Sequence, residues 1–493
     1  MRQSGILMPL FSLPSPYGIG SMGKEAFRFL DFLKKSGQSI WQLLPIGQTS
    51  FGDSPYQSPS SFAGNPYFID LDALIDAKLL TKSEVESFDF GDSFDEVDYA
   101  KMFSRYNLLR LCVPRFFANV PSDYAEFLEK HAFWLDDYAL FCAIKDENGG
   151  RAFSEWEKPL RLREESALNS ARERLCESID FYKMVQYIFF KQWSALKKYA
   201  DECGVKLMGD LPIYVSPDSA DLWASPEQFL LGRDGAPNLV AGCPPDAFSE
   251  DGQLWGNPLY NWDYMKKDRY AWWIRRIEMS RDFFHIIRID HFRGFDSFYA
   301  IKKGATTAKK GVWKKGPGIE LFKAVEKALG RVDIIAEDLG FLTPSVRKLL
   351  KDSGYPGMKV LQFAFDVNGD SDYLPHNYPK NCVAYTGTHD NNTSLGWLDS
   401  VDEEEREFVK TYLRLNDAEG YNWGMIKSVW ASPADIAIVP MQDFLGLGSE
   451  ARVNTPSTLG GNWAWRVRGE CINDWLAEII YRYTKIYRRL KIE

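Results

Sequence analysis

Eight short apolar, β-rich runs constrain this chain more than anything else in its sequence. They are GILMPLF (5–11), SIWQLLPI (39–46), VKLMGDLPIYV (205–215), HIIRID (285–290), DIIAED (333–338), MKVLQFAF (358–365), CVAYTGT (382–388) and DIAIVP (435–440). Helical periodicity fills most of the intervals between them. Ala26, Phe27, Leu30 and Leu33 stand at helical spacing ahead of Gly37, and Phe181, Met184, Val185, Ile188 and Phe189 form an apolar stripe before the third run. Ile319, Phe322, Val325 and Leu329 do the same before the fifth. Thr343 followed by Pro344 is an N-cap with proline at the first helical position, and it opens a helix predicted to stop at Gly354. Parallel strands need crossover helices, so eight alternating units predict an α/β fold, a (β/α)₈ TIM barrel. On periodicity alone, a doubly wound open sheet is the alternative.

The spacing of the runs is uneven. At 493 residues the chain fits either about three domains or one elaborated barrel. About 158 residues separate the second run from the third, too many for an α/β connection. That interval predicts an inserted subdomain over 49–200, beginning with a Ser-, Gly-, Pro- and Tyr-rich loop (49–68) and mostly helical from 99 onward. A second insertion, 216–262, is rich in Pro, Gly and aromatics and is expected to form a lid after the third strand. No all-β segment follows the eighth run, so 1–493 reads as one catalytic barrel with largely helical insertions and no C-terminal β-sandwich domain.

Composition narrows the class of function. With 45% hydrophobic and 26% charged residues the chain has material for a large core, and its net charge of −9 works against nucleic acid or an anionic membrane as partner. Seven cysteines without a CxxC pair argue against a disulfide framework or a zinc knuckle and suit a reducing compartment. The start MRQSGILMPLFSLPSPYG has one basic residue, and its apolar run is broken by Pro9, so an unprocessed cytoplasmic protein is expected, a mature plastid stromal form being the alternative. The lysine pairs of IKKGATTAKKGVWKKGPG (301–318) read as a solvated loop, and His131, His285 and His376 as structural or exposed. Aromatics reach 15%. Tyr56, Phe62, Trp223, Phe248, Trp255 and Tyr260 lie on Gly- and Pro-rich loops, where they can plug irregular loop cores; Trp272, Trp273, Phe283 and Phe284 are assigned to the core.

The chemical signal lies at the strand ends, where Asp210, Asp290 with His291, Glu337 with Asp338, and His389 with Asp390 each close an apolar run. In a barrel all of them converge on one mouth. Two chemistries use such a rim. Glycoside chemistry needs a nucleophilic carboxylate and a second, protonated one, which Asp290 and Glu337 on neighbouring strands could supply. Metal-dependent hydrolysis needs histidine clusters, and this chain has five His with neither HxH nor HExxH. Arg288, two residues before Asp290, points into the same lumen and can keep a carboxylate ionised.

GDLPIYV, RIDHFRGF, AEDLG and TGTHDNNT occur in the order of the α-amylase superfamily. SPYQSPSSFAGNPYFID, PPDAFSEDGQLWGNPLYNW and GGNWAWR resemble glycoside hydrolase family 77, the amylomaltase-type 4-α-glucanotransferases. The resemblance spans nearly the whole chain. It implies retaining transfer of α-1,4-glucan segments with Asp290 as nucleophile, Glu337 as general acid and then base, and Asp390 as a third carboxylate gripping the attacked sugar. It further implies that Tyr56, Asp210, Arg288, His291 and His389 surround that sugar, that Asp246, Phe248, Gln253, Trp255 and Asn257 belong to a flexible lid on the acceptor side, and that Asn462 contacts substrate. No cofactor and no metal are implied. The expected partners are maltooligosaccharides and other α-1,4-glucans, with glucose as acceptor, acted on by a monomer or homodimer. The rival readings are an α-glucan hydrolase using the same carboxylates, a non-catalytic glucan-binding barrel, and a metal-dependent barrel hydrolase.

Overall fold

The computed structural model describes residues 2–245, 250–340, 342–367 and 369–491. Twelve strands lie among them: β1 (Gln3–Leu7), β2 (Ile40–Gln42), β3 (Lys206–Leu211), β4 (Leu239–Cys243), β5 (Gln253–Pro258), β6 (Ile286–Ile289), β7 (Ser297–Lys302), β8 (Gly311–Lys315), β9 (Ile334–Ala336), β10 (Gly357–Val360), β11 (Cys382–Tyr385) and β12 (Ile436–Pro440). Eight of them form one parallel sheet in the order β10-β11-β12-β1-β2-β3-β6-β9, and each overlaps one of the apolar runs, β1 and β10 starting slightly ahead of theirs. The sheet curls into a (β/α)₈ barrel, not an open doubly wound sheet. At the seam between β9 and β10 the Ala336 amide donates to the Pro356 carbonyl at 2.9 Å, and the Met358 amide donates to Asp338 Oδ1 at 2.6 Å. A Cβ at position 357 would lie 2.7 Å from both Asp338 carboxylate oxygens, so this closure requires Gly357.

Leu7, Ile40, Met208, Ile286, Val383 and Ile438 fill the barrel interior, while a larger apolar layer lies between the strands and their helices. The crossover helices follow the expected grammar. Lys24–Lys35 buries Ala26, Phe29, Leu30 and Leu33, and Pro344–Ser353 starts on the Thr343 side chain, which accepts from the Val346 amide, and ends at Gly354 with φ +69°.

Between β2 and β3 the chain is mostly helical, dominated by Tyr124–Glu147 and Cys176–Glu202. Much of the aromatic excess lies between these two helices, where Trp134 stacks near Phe190, Phe127 meets Tyr187 edge-on, and Tyr138 meets Tyr182. Phe62 and Tyr260 are buried loop plugs, Trp223 is buried on the short helix Ala220–Ala224 instead of a loop, and Trp273, Phe283 and Phe284 belong to the core, with Trp272 half-buried against it.

The sequence reading needs one correction. The lysine-rich segment 301–318 is not a solvated loop: β7 and β8 pair there as an antiparallel hairpin that continues through β4 to β5. The physical reason is the apolar run in SFYAIK, which buries Phe298, Tyr299, Ala300 and Ile301, while Lys302 and Lys315 stay exposed. Charge on β8, the edge strand, is what such an exposed edge requires. The 216–262 connection likewise supplies two strands, β4 and β5, to the same small sheet.

Candidate active site

The strand-end carboxylates do converge. Asp210 on β3 stands in register with Arg288 on β6, and Arg288 Nη1 donates to Asp210 Oδ1 at 2.6 Å and Oδ2 at 2.5 Å. The same nitrogen reaches Asp290 Oδ1 at 3.2 Å. Burial alone lowers the pKa of the Arg288 guanidinium, but Asp210 and Asp290 more than reverse this, so it remains charged between them. The Asp210 and Arg288 side chains are sealed from solvent, whereas Asp290 is 29% exposed.

Glu337, just past β9, is oriented by the backbone. Its Oε2 accepts from the His291 amide and its Oε1 from the Leu339 amide, both at 2.7 Å. His291 can direct its N–H there because it adopts φ +50°, ψ +50°, a left-handed conformation uncommon for a side-chain-bearing residue and concentrated at functional sites. Burial pushes the Glu337 carboxyl above the ordinary carboxylate range, against the opposing pull of Arg288 and the two amides. Burial also raises Asp290, opposed by Arg288 and reinforced by Asp210, Glu337 and Asp390. The two carboxylates titrate as a pair, and of the two the facing cation touches only Asp290.

A second layer surrounds this pair. The Tyr56 hydroxyl donates to Asp210 Oδ2 at 2.7 Å and lies 2.9 Å from His389 Nε2, with the two rings stacked at 5.5 Å. That network assigns the Nε2–H tautomer to His389, whose pKa burial lowers; Nε2 also lies 3.3 Å from Asp390 Oδ2. Burial drives the His291 imidazole down to about 3, so it is neutral, and Trp255 meets it edge-on at 4.8 Å.

The loops that deliver these side chains are fastened individually. The Ser61 amide donates to Asp221 Oδ2 at 2.7 Å and the Ala220 amide to the Pro59 carbonyl at 2.8 Å, anchoring the 49–68 loop that carries Tyr56. The segment bearing His389 and Asp390 is held at both ends by Asp443, 1% exposed, which accepts from Thr386 Oγ1 at 2.5 Å and from the Ser394 amide and hydroxyl at 2.7 Å each. Asn454 donates to Asp390 Oδ1 at 2.6 Å and Arg452 to the Asp390 carbonyl at 2.7 Å.

The structure thus brings Tyr56, Asp210, Arg288, Asp290, His291, Glu337, His389 and Asp390 together, with Trp255 against His291. Gln253 supports Trp255 by accepting from its indole N–H at 3.0 Å. Asn257 is buried and its amide donates to the Val215 carbonyl at 2.8 Å, which makes it a tie between β5 and the chain after β3. Asn462 bonds within its own loop, to the Thr455 amide and to Thr458. Asp246 and Phe248 lie outside the described residues. Sequence reading missed Asn454, Arg452, Asp443 and Trp463, whose ring lies 5.7 Å from Tyr56 and 6.0 Å from His389. Only Trp463 carried a signal, as part of GGNWAWR. Among the described residues no three His, Cys, Asp or Glu side chains group as metal ligands would.

A family model described as 4-alpha-glucanotransferase matches residues 8–472. The 4-alpha-glucanotransferase of Clostridium butyricum is 48% identical over 485 residues, covering 98% of this chain and 100% of the relative. The chloroplastic/amyloplastic enzyme of that name from Solanum tuberosum is 43% identical over 476 residues, covering 94% and 82%. Among solved structures, the amylomaltase from Streptococcus agalactiae in complex with acarbose superposes with a TM-score of 0.97 at 41% identity, covering 100% of both chains. The amylomaltase from Corynebacterium glutamicum, 18% identical with a TM-score of 0.78 over 100% of this chain and 75% of that one, shares the fold.

Proposed function

Because this chain belongs to the 4-alpha-glucanotransferase family, we propose that its transfer of α-1,4-glucan segments runs by double displacement on Asp290 and Glu337. In the first step the Asp290 carboxylate attacks the anomeric carbon of the donor, while Glu337 gives its proton to the departing glycosidic oxygen. The products are a β-linked glucosyl ester on Asp290 and a shortened glucan with a free hydroxyl. In the second step ionised Glu337 takes the proton of an acceptor 4-hydroxyl, and that oxygen displaces Asp290 from the anomeric carbon. Two inversions restore the α configuration.

The observation that carries this reading is the unequal contact made by the two carboxylates, a guanidinium on Asp290 and backbone amides on Glu337. Arg288 touches Asp290 directly and favours its ionised form, and Glu337, without a side-chain cation in contact, is the member that keeps the proton. The His291 and Leu339 amides fix the Glu337 carboxyl so that the proton leaves from one direction. In this reading Asp390, held by Asn454, binds ring hydroxyls, and the bonded trio of Tyr56, Asp210 and His389 shapes the same sugar's site. Trp255, propped by Gln253, flanks the acceptor side in this reading and favours a sugar over water. Glucose and maltooligosaccharides serve as acceptors. Free cysteines without a disulfide suit a cytoplasmic enzyme, and the plastid relative leaves a stromal counterpart as the alternative.

Incubation with maltotriose tests the reading. Transfer yields glucose and longer oligomers with no net gain of reducing ends, whereas a net gain identifies a hydrolase.

A further inference from the structure

The turn that follows Asp290 leads away from the catalytic pair into a second cavity. The 3₁₀ turn Phe292–Phe295 and the β7–β8 hairpin enclose a surface cavity of ≈ 330 Å³, lined by Arg293, Asp296, Trp313, Lys315, Thr343 and Ser345. Trp313 is 44% exposed yet fixed in place. The Arg293 guanidinium carbon lies 4.1 Å from its ring centroid, and the Tyr299 ring centroid is 5.1 Å away. An indole packed against two neighbours and still 44% exposed presents preformed flat apolar surface to solvent.

Polar groups surround that surface in alternation. Asp296 Oδ2 accepts from Ser297 Oγ at 3.0 Å and from Ser345 Oγ at 2.9 Å, and the Thr343 and Ser345 hydroxyls are 3.0 Å apart. Lys315 adds an ammonium donor from the hairpin. Donors and acceptors around an aromatic face complement a pyranose ring, which has an apolar C–H face and hydroxyls at its edge. Asp296 in the middle of the lining opposes an anion, so the lining suits a neutral polyol better than a phosphate. Arg293 is three residues from Asp290, so the cavity is built on the chain segment that directly follows the nucleophile.

We propose that this cavity is a remote glucan subsite, in which Trp313 stacks on a glucose unit of a long α-1,4-glucan whose other end occupies the catalytic cleft. The proposal rests on the reading of Asp290 and Glu337 above. It gives the enzyme a preference for long chains that short substrates do not experience, because they do not reach the hairpin.

Steady-state kinetics on maltotriose and on amylose, together with mobility in starch-containing native gels, test it with Trp313→Ala, Trp313→Phe, Lys315→Ala and Ser345→Ala. Loss of the stacking face raises KM for amylose about three- to tenfold in Trp313→Ala and lessens retardation in starch gels, while kcat and KM on maltotriose stay unchanged. Trp313→Phe recovers most of the amylose KM. If Trp313→Ala fails to fold, Lys315→Ala and Ser345→Ala must each weaken amylose binding. An unchanged amylose KM overturns the proposal, as does an equal loss on both substrates or inorganic phosphate competing with amylose at this site. A wild-type enzyme that hydrolyses maltotriose instead of transferring refutes the function reading, while Trp313-dependent starch retardation would still support the subsite.

Discussion

Removing the carboxylate of Asp443, which touches neither the nucleophile nor the acid, tests whether the catalytic arrangement depends on how its loops are fastened. Asp443 ties Thr386 to Ser394 across the segment that presents His389 and Asp390, through three hydrogen bonds, and it is 1% exposed. In Asp443→Ala the Ser394 amide becomes an orphaned buried donor, at about 1–3 kcal/mol, and two hydroxyls lose their acceptor, at about 1 kcal/mol each. Together with the small cavity, the expected destabilisation is about 3–5 kcal/mol. Released ends shift Asp390 relative to the sugar, and a displacement on the order of 1 Å costs about a hundredfold in kcat/KM.

Asp443→Asn is the discriminating control. Its Oδ1 still accepts from the Ser394 amide, and its amide group can donate to the two hydroxyls once they rotate, so stability and activity are largely retained. Burial raises the Asp443 carboxyl in the folded protein. A raised acid contributes stability that is complete below its unfolded pKa and lost as pH rises through its folded value, and the asparagine variant lacks that loss. The deficit of Asp443→Asn relative to wild type therefore shrinks as pH increases. Urea unfolding at acidic and neutral pH, with kcat/KM on maltotriose, measures both effects. An Asp443→Ala enzyme with wild-type kcat/KM would refute the fastening argument, and a deficit of Asp443→Asn that grows with pH would refute its electrostatic half.

General-acid work by a raised Glu337 predicts an alkaline limb for transfer: activity falls as pH rises through the folded value of Glu337, which lies above 4.5, and a limb at or below 4.5 in the kcat/KM profile contradicts it. Tyr56→Phe removes the hydroxyl that bridges Asp210 and His389, and on the order of 1–3 kcal/mol of transition-state stabilisation should be lost, read as a roughly five- to hundredfold fall in kcat/KM at unchanged fold. Asp221 is buried and its pKa is raised to about 6, so stability from this group is present below its unfolded value near 3.8 and lost as pH rises through about 6. That amounts to about 3 kcal/mol, which Asp221→Asn, still accepting from the Ser61 amide, should abolish in a pH series of urea unfolding.

The primary structure already determined eight alternating βα units, because strand and crossover-helix periodicities are local properties, but barrel against open sheet was decided by the closure between β9 and β10. It also determined which strands end in chemistry, since an acidic residue closing an apolar run is visible in a one-dimensional pattern. Asp290, Glu337 and Asp390 were legible that way, and Arg288 followed from side-chain alternation. The small antiparallel sheet was not, because the lysines that protect its edge give 301–318 the composition of a loop, and its pairing with β4 is settled by contacts some sixty residues distant. Asn454, Arg452 and Asp443 were likewise invisible, since they act only through partners that folding brings within about 3 Å. Asp338 shows the limit most plainly. By position it belongs with the catalytic carboxylates, but the tertiary structure turns it to the Met358 amide to close the barrel, because there an unpaired strand donor meets it and no substrate does.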